Sequence, residues 1–419
     1  MKLSIILFCL VTGISGGSQP FDNMQASLVL TQTVPLNIVY PLCVIRTFAF
    51  DFAPSGIPTA DGRLLPINSN QAIFSIVGTT YGGDGRLTFA LPNLQGTAII
   101  SSGQGNGLSN YHLGDQIGSQ QVTLTTNQMP AHAHSIPNSI DFTGFTGGSQ
   151  PFLNVQPSLS MNYLICISGI YPSRSSTIQQ LPFIGQIVPY TGSFIPNNWT
   201  LADGSLLPIQ TNVALFSLIG TIYGGDGQTT FRLPDLRGRA MVGVASGSNI
   251  QLGGTSGTES VTLLVDNLSA HQHSLAGSKY NASQTGLIGS GVPLDNRQPV
   301  LGITYLISLV GIFPSRDSGT VDPQLPYLGE IFAFAGNFEP QNWAFANGRL
   351  LSISQNTALF ALIGTTYGGN GQTTFALPDL RDRVVLGSGG LFTIGQQLGS
   401  STVTLSVNQI PAHAHSLNP

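Results

Sequence analysis

Six of the seven histidines in this 419-residue chain stand in three His-x-His pairs: His132 and His134, His271 and His273, His413 and His415. The first and third pairs lie in the same hexapeptide, PAHAHS, at Pro130–Ser135 and Pro411–Ser416; the second lies in SAHQHS at Ser269–Ser274. His112 stands alone. In an extended segment residues i and i+2 face the same way, roughly 6.5–7 Å apart, so each pair can present two imidazoles together. Two imidazoles make an incomplete metal site. Three such segments around a threefold axis would supply six nitrogens, enough for octahedral coordination of a first-row ion, and imidazole suits Fe, Ni, Cu and Zn. Six protein ligands would leave no open position for water or substrate, so the site would be structural, and protonation would empty it. Two other readings stand beside this one. Histidines next to Pro130 or Pro411 could cap a turn by hydrogen bonding without a metal, or a hydrolytic or redox ion could use them. The last needs an open position and a nearby carboxylate, and carboxylates here are few and poorly placed.

Bringing three distant pairs together requires repetition, and the chain is repetitive. ADGRLLPINSNQAIFSIVGTTYGGDGRLTFALPNLQG starts at Ala60, ADGSLLPIQTNVALFSLIGTIYGGDGQTTFRLPDLRG at Ala202, and ANGRLLSISQNTALFALIGTTYGGNGQTTFALPDLRD at Ala346. A second block recurs as GGSQPFDNMQASLVL from Gly16, GGSQPFLNVQPSLSMNYLICISGIYPSR from Gly147, and SGVPLDNRQPVLGITYLISLVGIFPSR over Ser290–Arg316. Within each copy Asp61-Gly62, Asp203-Gly204 and Asn347-Gly348 predict a tight hairpin turn between β-type runs. NTALFALIG (Asn356–Gly364) has the spacing of a short helix that Gly364 ends. YGGDG predicts a loop with several residues at positive φ. TTFALPDL predicts a strand whose proline ends its ladder. The fold class is mainly β with short helices.

At these linked motifs the chain resembles the phage tail collar domain of short tail fibres and microcystin-dependent-type proteins. The stretch LPFIGQI, GSFIPNNWTLADGSLLPI, ALFSLIGTIYGGDGQTTFRLPDLRGR, VTL and AHQHS carries the likeness, and the GIFPSR-type block resembles the C-terminal segment of the latter proteins. The resemblance recurs three times and covers nearly everything after Gly16. It implies trimeric β structures that bind surfaces without catalysis, with one His-x-His from each chain on a shared ion. One polypeptide with three copies is then expected to be an intramolecular pseudo-trimer, a monomer with internal threefold pseudo-symmetry. All six histidines would converge on one structural transition-metal ion, Fe or Zn. The block order is permuted relative to single-copy relatives, so the leading block is left to complement the third collar-like unit and close a ring. The boundaries read as 1–16 a signal peptide, 17–46 a C-terminal-type block, 47–146 the first unit, 147–180 a block, 181–289 the second unit, 290–324 a block, and 325–419 the third unit.

Composition narrows the function classes. Only 8% of residues are Asp, Glu, Lys or Arg, against roughly 25% in an average soluble domain. Lys2 and Lys279 are the only lysines, and a net charge of −4 with no basic stripe argues against a nucleic-acid binder. MKLSIILFCLVTGISGG has the layout of a secretory signal, with an apolar run too short to span a bilayer. The expected setting is secreted or extracellular, with a glycan or cell-surface partner by family analogy; the alternative is a virion tail-fibre or collar component. Cys43 and Cys166 could pair in an oxidising compartment. Asn198, Asn267 and Asn281 begin glycosylation triplets. Asp84, Asp226 and Asn370 could touch Ca²⁺ but suit turn chemistry better, and Asp235, Arg237 and Arg239 suit structural hydrogen bonds. Trp199 and Trp343 could stack on sugar but suit a core. No Ser-His-Asp order, Cys-His nucleophile setting or phosphate loop is present.

Overall fold

The structure is a computed structural model that describes residues 19–35, 42–139, 141–170, 172, 182–275, 284–314 and 325–416. Nine strands carry the architecture, three to a repeat. They are β1 (Ser27–Thr33), β2 (Arg46–Phe48) and β3 (Ala98–Ser101); β4 (Ser158–Cys166), β5 (Gln186–Tyr190) and β6 (Ala240–Gly243); β7 (Val300–Ser308), β8 (Glu330–Phe334) and β9 (Val384–Gly387). The long strands β1 and β7, read as SLVLTQT and VLGITYLIS, are buried along their whole length. Near-continuous apolar runs of this kind belong to strands covered on both faces, and β1, β4 and β7 each pair on two sides.

Each long strand serves two repeats at once. The first half of β4 runs parallel to β3, with Ser158 opposite Ala98, and its second half runs antiparallel to β5, with Leu164 opposite Val188. β7 joins β6 to β8 in the same way, Ala240 facing Val300 and Tyr305 facing Ala333. β1, from the beginning of the chain, runs parallel to β9 near its end, Ser27 opposite Val384, and antiparallel to β2, Thr31 opposite Phe48. First, second and third repeats are therefore stitched in a ring, and the strand edge that a linear array would leave open is paired.

Around the centre of that ring the short strands meet in threes. β5 pairs β8, β8 pairs β2, and a bridge from Val44 to Tyr190 joins the β2 end to β5. A second triangle forms where Ala240 faces Ile100, Val242 faces Val384 and Leu386 faces Ala98. One large core runs through all three repeats, from Leu28 and Phe48 to Phe231, Ile303 and Phe375. The molecule is a mainly β pseudo-trimer.

The helices are α1 (Gln71–Val77), α2 (Val213–Ile219) and α3 (Thr357–Ile363). Each buries one face, as in Leu359 and Ile363 of α3, and each ends at a glycine, Gly78, Gly220 or Gly364, at φ 58°, 50° and 51°. No described helix is long and apolar enough to cross a membrane. The Asx-Gly pairs are not hairpin tips. The strand after Gly62, Leu64–Pro66, pairs with Thr88–Ala90 beyond α1, while Asp61 bridges Asn93 and its Oδ1 accepts the Arg63 amide. The glycine serves a side-chain-closed turn instead, because the next strand finds its partner across the helix rather than behind the turn.

One contact at the ring centre occurs at a single seam. Arg46 on β2 and Glu330 on β8 form a buried two-pronged ion pair, Nε donating to Oε1 at 2.6 Å and Nη2 to Oε2. Both residues are about as buried as the core, 5% and 3% exposed. The guanidinium also lies over the Tyr327 ring at 5.0 Å.

Candidate metal centre

Each histidine pair is placed by the same local device. A one-turn 3-10 segment, Thr126–Gln128, Val265–Asn267 or Val407–Gln409, precedes it. The side chain at the end of that turn reaches back to its start: Gln128 Oε1 accepts the Thr125 amide at 2.9 Å, Asn267 Oδ1 that of Leu264 at 2.8 Å, and Gln409 Oε1 that of Ser406 at 2.8 Å. The next residues, Met129, Leu268 and Ile410, are fully buried against one another and form an apolar plug with one member from each repeat. Past the plug the chain is extended, and both histidines of each pair turn to the same interior.

All six histidines meet there, each no more than 7% exposed. His132, His271 and His413 form one ring, with imidazole centroids 5.1–5.3 Å apart. His134, His273 and His415 form a second, at 4.7–4.8 Å. Between the rings each histidine touches its own strand-mate at 5.2–5.7 Å and one member of a neighbouring repeat at 4.8–4.9 Å. Every imidazole thus has four neighbours and one non-neighbour: His132 opposes His273, His134 opposes His413, and His271 opposes His415. Six points with twelve contacts and three opposed pairs are the corners of an octahedron.

The hydrogen bonds set the tautomers. Nδ1 of His132, His271 and His413 lies 2.9, 2.9 and 2.8 Å from the carbonyls of Pro130, Ser269 and Pro411, two residues back. Nδ1 of His134 lies 2.8 Å from the Gly286 carbonyl, and that of His415 lies 2.8 Å from the Gly144 carbonyl. A carbonyl only accepts, so these Nδ1 atoms carry the proton and Nε2 holds a bare lone pair. The Nε2 atoms of His134, His273, His413 and His415 have no hydrogen-bond partner among the described residues. Those of His132 and His271 face each other at 3.2 Å with a lone pair on each. Burial holds all six below the ordinary histidine range, to about 4 for His134 and His413 and about 3 for His273. The cage is uncharged at neutral pH and its lone pairs converge.

That donor set fits a cation. Ligand nitrogens from two overlapping quartets, His132, His134, His271 and His413, and His134, His273, His413 and His415, lie within 4.8 Å of one another. Octahedral bonds of about 2.1 Å require roughly 3.0 Å between adjacent nitrogens and roughly 4.2 Å between opposed ones. The 3.2 Å separation of His132 and His271 is close to the adjacent value. Carbonyls on Nδ1 are also the outer contacts that fix a ligating imidazole and raise its basicity.

Residues 44–99, 185–241 and 329–385 each match the phage tail collar domain. The chain carries three phage tail collar domains. No curated protein and no solved structure matches it. The collar domain is a structural module of phage tails rather than a catalytic one. The three matched spans hold the β2–α1–β3 region and its counterparts, and all end before the histidine pairs.

The other residues singled out from sequence have local duties. Asp84 Oδ1 accepts the amides of Arg86, Leu87 and Thr88 at 2.8–3.0 Å, and Asp226 does the same for residues 228–230. These amides hold the Asp84 carboxyl down to about 2. Asn370 makes the same three bonds with a neutral amide oxygen, so the turn needs an acceptor and no ion. Arg237 closes a two-pronged pair on Asp235 at 2.9 Å, and Arg381 on Asp379 repeats it. Burial lowers the pKa of Arg239. Trp199 and Trp343 are buried, the latter edge-on to Phe332 at 4.4 Å. Cys43 and Cys166 are free and buried thiols, pushed up to about 12 by burial. Asn198 is exposed, whereas both ends of the Asn267 amide are committed, its Oδ1 closing the 3-10 turn and its Nδ2 donating to the Val292 carbonyl. Exposed His112 lies 3.4 Å from Asp115. Asn281 and the N-terminal run through Ser18 lie outside the described residues.

Sequence reasoning had no signal for Gly144 and Gly286, whose carbonyls reach histidines of a different repeat. Nor did it find Arg46 and Glu330, 284 residues apart.

Proposed function

We propose that this three-collar chain is a non-enzymatic structural protein of the tail-fibre type, and that His132, His134, His271, His273, His413 and His415 hold one structural transition-metal ion at its axis. The observation that carries this reading is the octahedral set of buried, neutral imidazoles with their Nε2 lone pairs turned inward. When bound, the ion would supply the positive charge that those lone pairs face. Of Fe and Zn, six-fold nitrogen coordination favours iron, because structural zinc is almost always four-coordinate. No position is left for a substrate water, and neither histidine quartet contains a carboxylate, which supports a structural role over a hydrolytic one.

The ion would join the three repeats at their axis, leaving the rest of the surface for attachment. A place outside the cell, on a virion or after export, and a glycan or cell-surface partner follow from the collar family alone. Elemental analysis of protein purified without chelator tests the centre: one transition-metal ion per chain is expected. Well under one ion per chain removes the metal from the reading and leaves an ordered histidine core.

A further inference from the structure

The three seams around the second strand triangle share one backbone device and differ in what covers it. At each, a residue at positive φ donates its amide to a carbonyl of the neighbouring repeat: Gly96 to Gly387 at 2.8 Å, Gly238 to Ser101 at 2.9 Å and Asp382 to Gly243 at 2.9 Å. Side chains of that neighbour lie over the first two. A Cβ on Gly96 would stand 2.1 Å from the Phe392 ring, and one on Gly238 3.0 Å from Leu108, so both positions need glycine. The third seam carries a side chain instead, and aspartate is one of the few residues that tolerate this backbone, here at φ 54°. Its carboxylate turns to the loop of the second repeat. There it accepts the Asn249 amide at 2.9 and 3.0 Å, Asn249 Nδ2 at 3.0 Å and the Ile250 amide at 3.3 Å.

A cleft of about 200 Å³ lies at this third seam. Its floor is apolar, where Val242 faces Val384, and its walls carry Asn249, Arg297, Arg381, Asp382, Arg383 and Ser401. Three guanidinium groups and one carboxylate therefore line it. Arg297 and Arg381 are each fixed by a two-pronged pair, on Asp295 and Asp379 at 2.8–2.9 Å, which uses Nε and Nη2 and leaves the Nη1 protons over. Arg383 donates to the Arg381 carbonyl at 3.2 Å and to Gln397 at 3.0 Å, with the Asp379 carboxylate 3.9 Å away. The charge on Asp382 is already met by three N–H groups, so the unspent hydrogen-bonding capacity of the cleft is cationic. The combination belongs to this seam alone. Arg297 corresponds to Met24 and Val155 in the other blocks, Arg381 to Gln95 and Arg237, and Arg383 to Thr97 and Arg239.

We propose that this cleft binds one acidic sugar residue, a ring that bears a carboxylate and neighbouring hydroxyls. The carboxylate meets the arginines, the hydroxyls meet Asn249 and Ser401, and the C–H face of the ring rests on the valines. The volume is below the roughly 300 Å³ at which pockets take drug-sized ligands, which fits one ring rather than a chain. Each chain then carries one such site and not three, because the other two seams lie under Phe392 and Leu108. The inference rests on the glycan reading above and names the place and the class of sugar.

Titration calorimetry on the full chain with glucuronate, sialic acid, glucose and acetate, repeated on Arg381→Gln and Arg237→Gln, gives the test. The two variants make the same change at equivalent places, and Gln95 shows that the fold takes glutamine there. One of the two acids is expected to bind at one site per chain with a Kd in the millimolar range, about tenfold or more tighter than glucose or acetate. Arg381→Gln should lose that binding and Arg237→Gln should keep it. No saturable binding of either acid, three sites per chain, acetate as tight as the sugar acids, or equal loss in both variants overturns the proposal. A panel of immobilised acidic and neutral glycans separates this inference from the broader reading. Capture that survives Arg381→Gln keeps a glycan partner and removes the cleft, whereas a sugar acid bound in solution with no capture on the panel keeps the cleft and removes the surface glycan.

Discussion

The histidine cage and the Arg46–Glu330 pair both lie where the three repeats meet, yet they treat threefold symmetry in opposite ways. In the cage each repeat contributes the same two imidazoles, and each Nδ1 that is bonded takes a backbone carbonyl. At the strand triangle the backbone is equally regular. The carbonyls of Cys43, Gly185 and Gly329 accept the amides of Thr191, Ala335 and Ala49 at 2.9–3.1 Å, all three at positive φ. Counting onward from these residues makes Val44, Gln186 and Glu330 equivalent, and likewise Arg46, Val188 and Phe332. The side chains differ at every one of them. Glu330 and Gln186 keep one shared duty, each accepting the amide three residues before it, Tyr327 and Phe183. Among the described residues, only the seam between third and first repeats adds a charge pair at these positions. That seam is also where the beginning of the chain closes on its end.

The difference has a physical source. A single ion on an axis needs the same ligand from every side, so the cage tolerates no variation among repeats. A side-chain contact across a seam has no such need once the three repeats are one molecule, because each seam is then a separate site. A buried charge pair there contributes little net stability, since desolvation offsets attraction, but it makes the wrong pairing costly. Arg46 facing Val44 or Gln186, the counterparts of Glu330, would be a buried charge without a charged partner.

Breaking the pair on one side tests that contrast most severely. Arg46→Ala strands Glu330 in the core and is expected to cost about 3–5 kcal/mol in urea unfolding. A loss well under 1 kcal/mol would mean the seam admits water. Acid is the next lever, and it acts on the cage. The six histidines have folded pKa values lowered below the ordinary 6.5, so the unfolded chain binds more protons over this range and stability must fall as pH falls. Their contribution is full above about 6.5 and is lost progressively down to the folded values near 4 and 3. Each histidine that takes up a proton only on unfolding adds about 1.4 kcal/mol per pH unit, and His273→Asn should lower the slope by about one proton. A flat stability profile between pH 6.5 and 4 would contradict a neutral cage. The smallest effect is expected from removing both charges. Arg46→Val with Glu330→Val gives the closing seam the apolar chemistry of Val44 and Val188, and stability should stay within about 1 kcal/mol or rise. Its informative readout is fidelity: slower or less complete refolding, with the unfolding midpoint kept, would show that the pair directs closure.

Much of this was legible because it is local or repeated. The helix over Thr357–Ile363 follows from NTALFALIG and its glycine, and the β-rich collar repeats from the motif strings at Ala60, Ala202 and Ala346. The Asx-Gly pairs do not form the expected hairpin tips, since the same dipeptide serves any side-chain-closed turn and only the partner strand across α1 decides which. The potential pairing of Cys43 with Cys166 found no support, each thiol lying in its own buried surroundings.

By itself the sequence determined that three units exist, that each ends in two histidines on one face, and that charge is scarce. Those properties are written in spacings of a few residues, within reach of backbone geometry alone. Tertiary structure decided the rest: that all six imidazoles share one interior, that Gly144 and Gly286 set the tautomers of histidines in other repeats, and that one seam carries Arg46 against Glu330. Each of these depends on closing the ring, which brings together residues more than a hundred positions apart, and no local pattern encodes which of three similar partners a strand will meet.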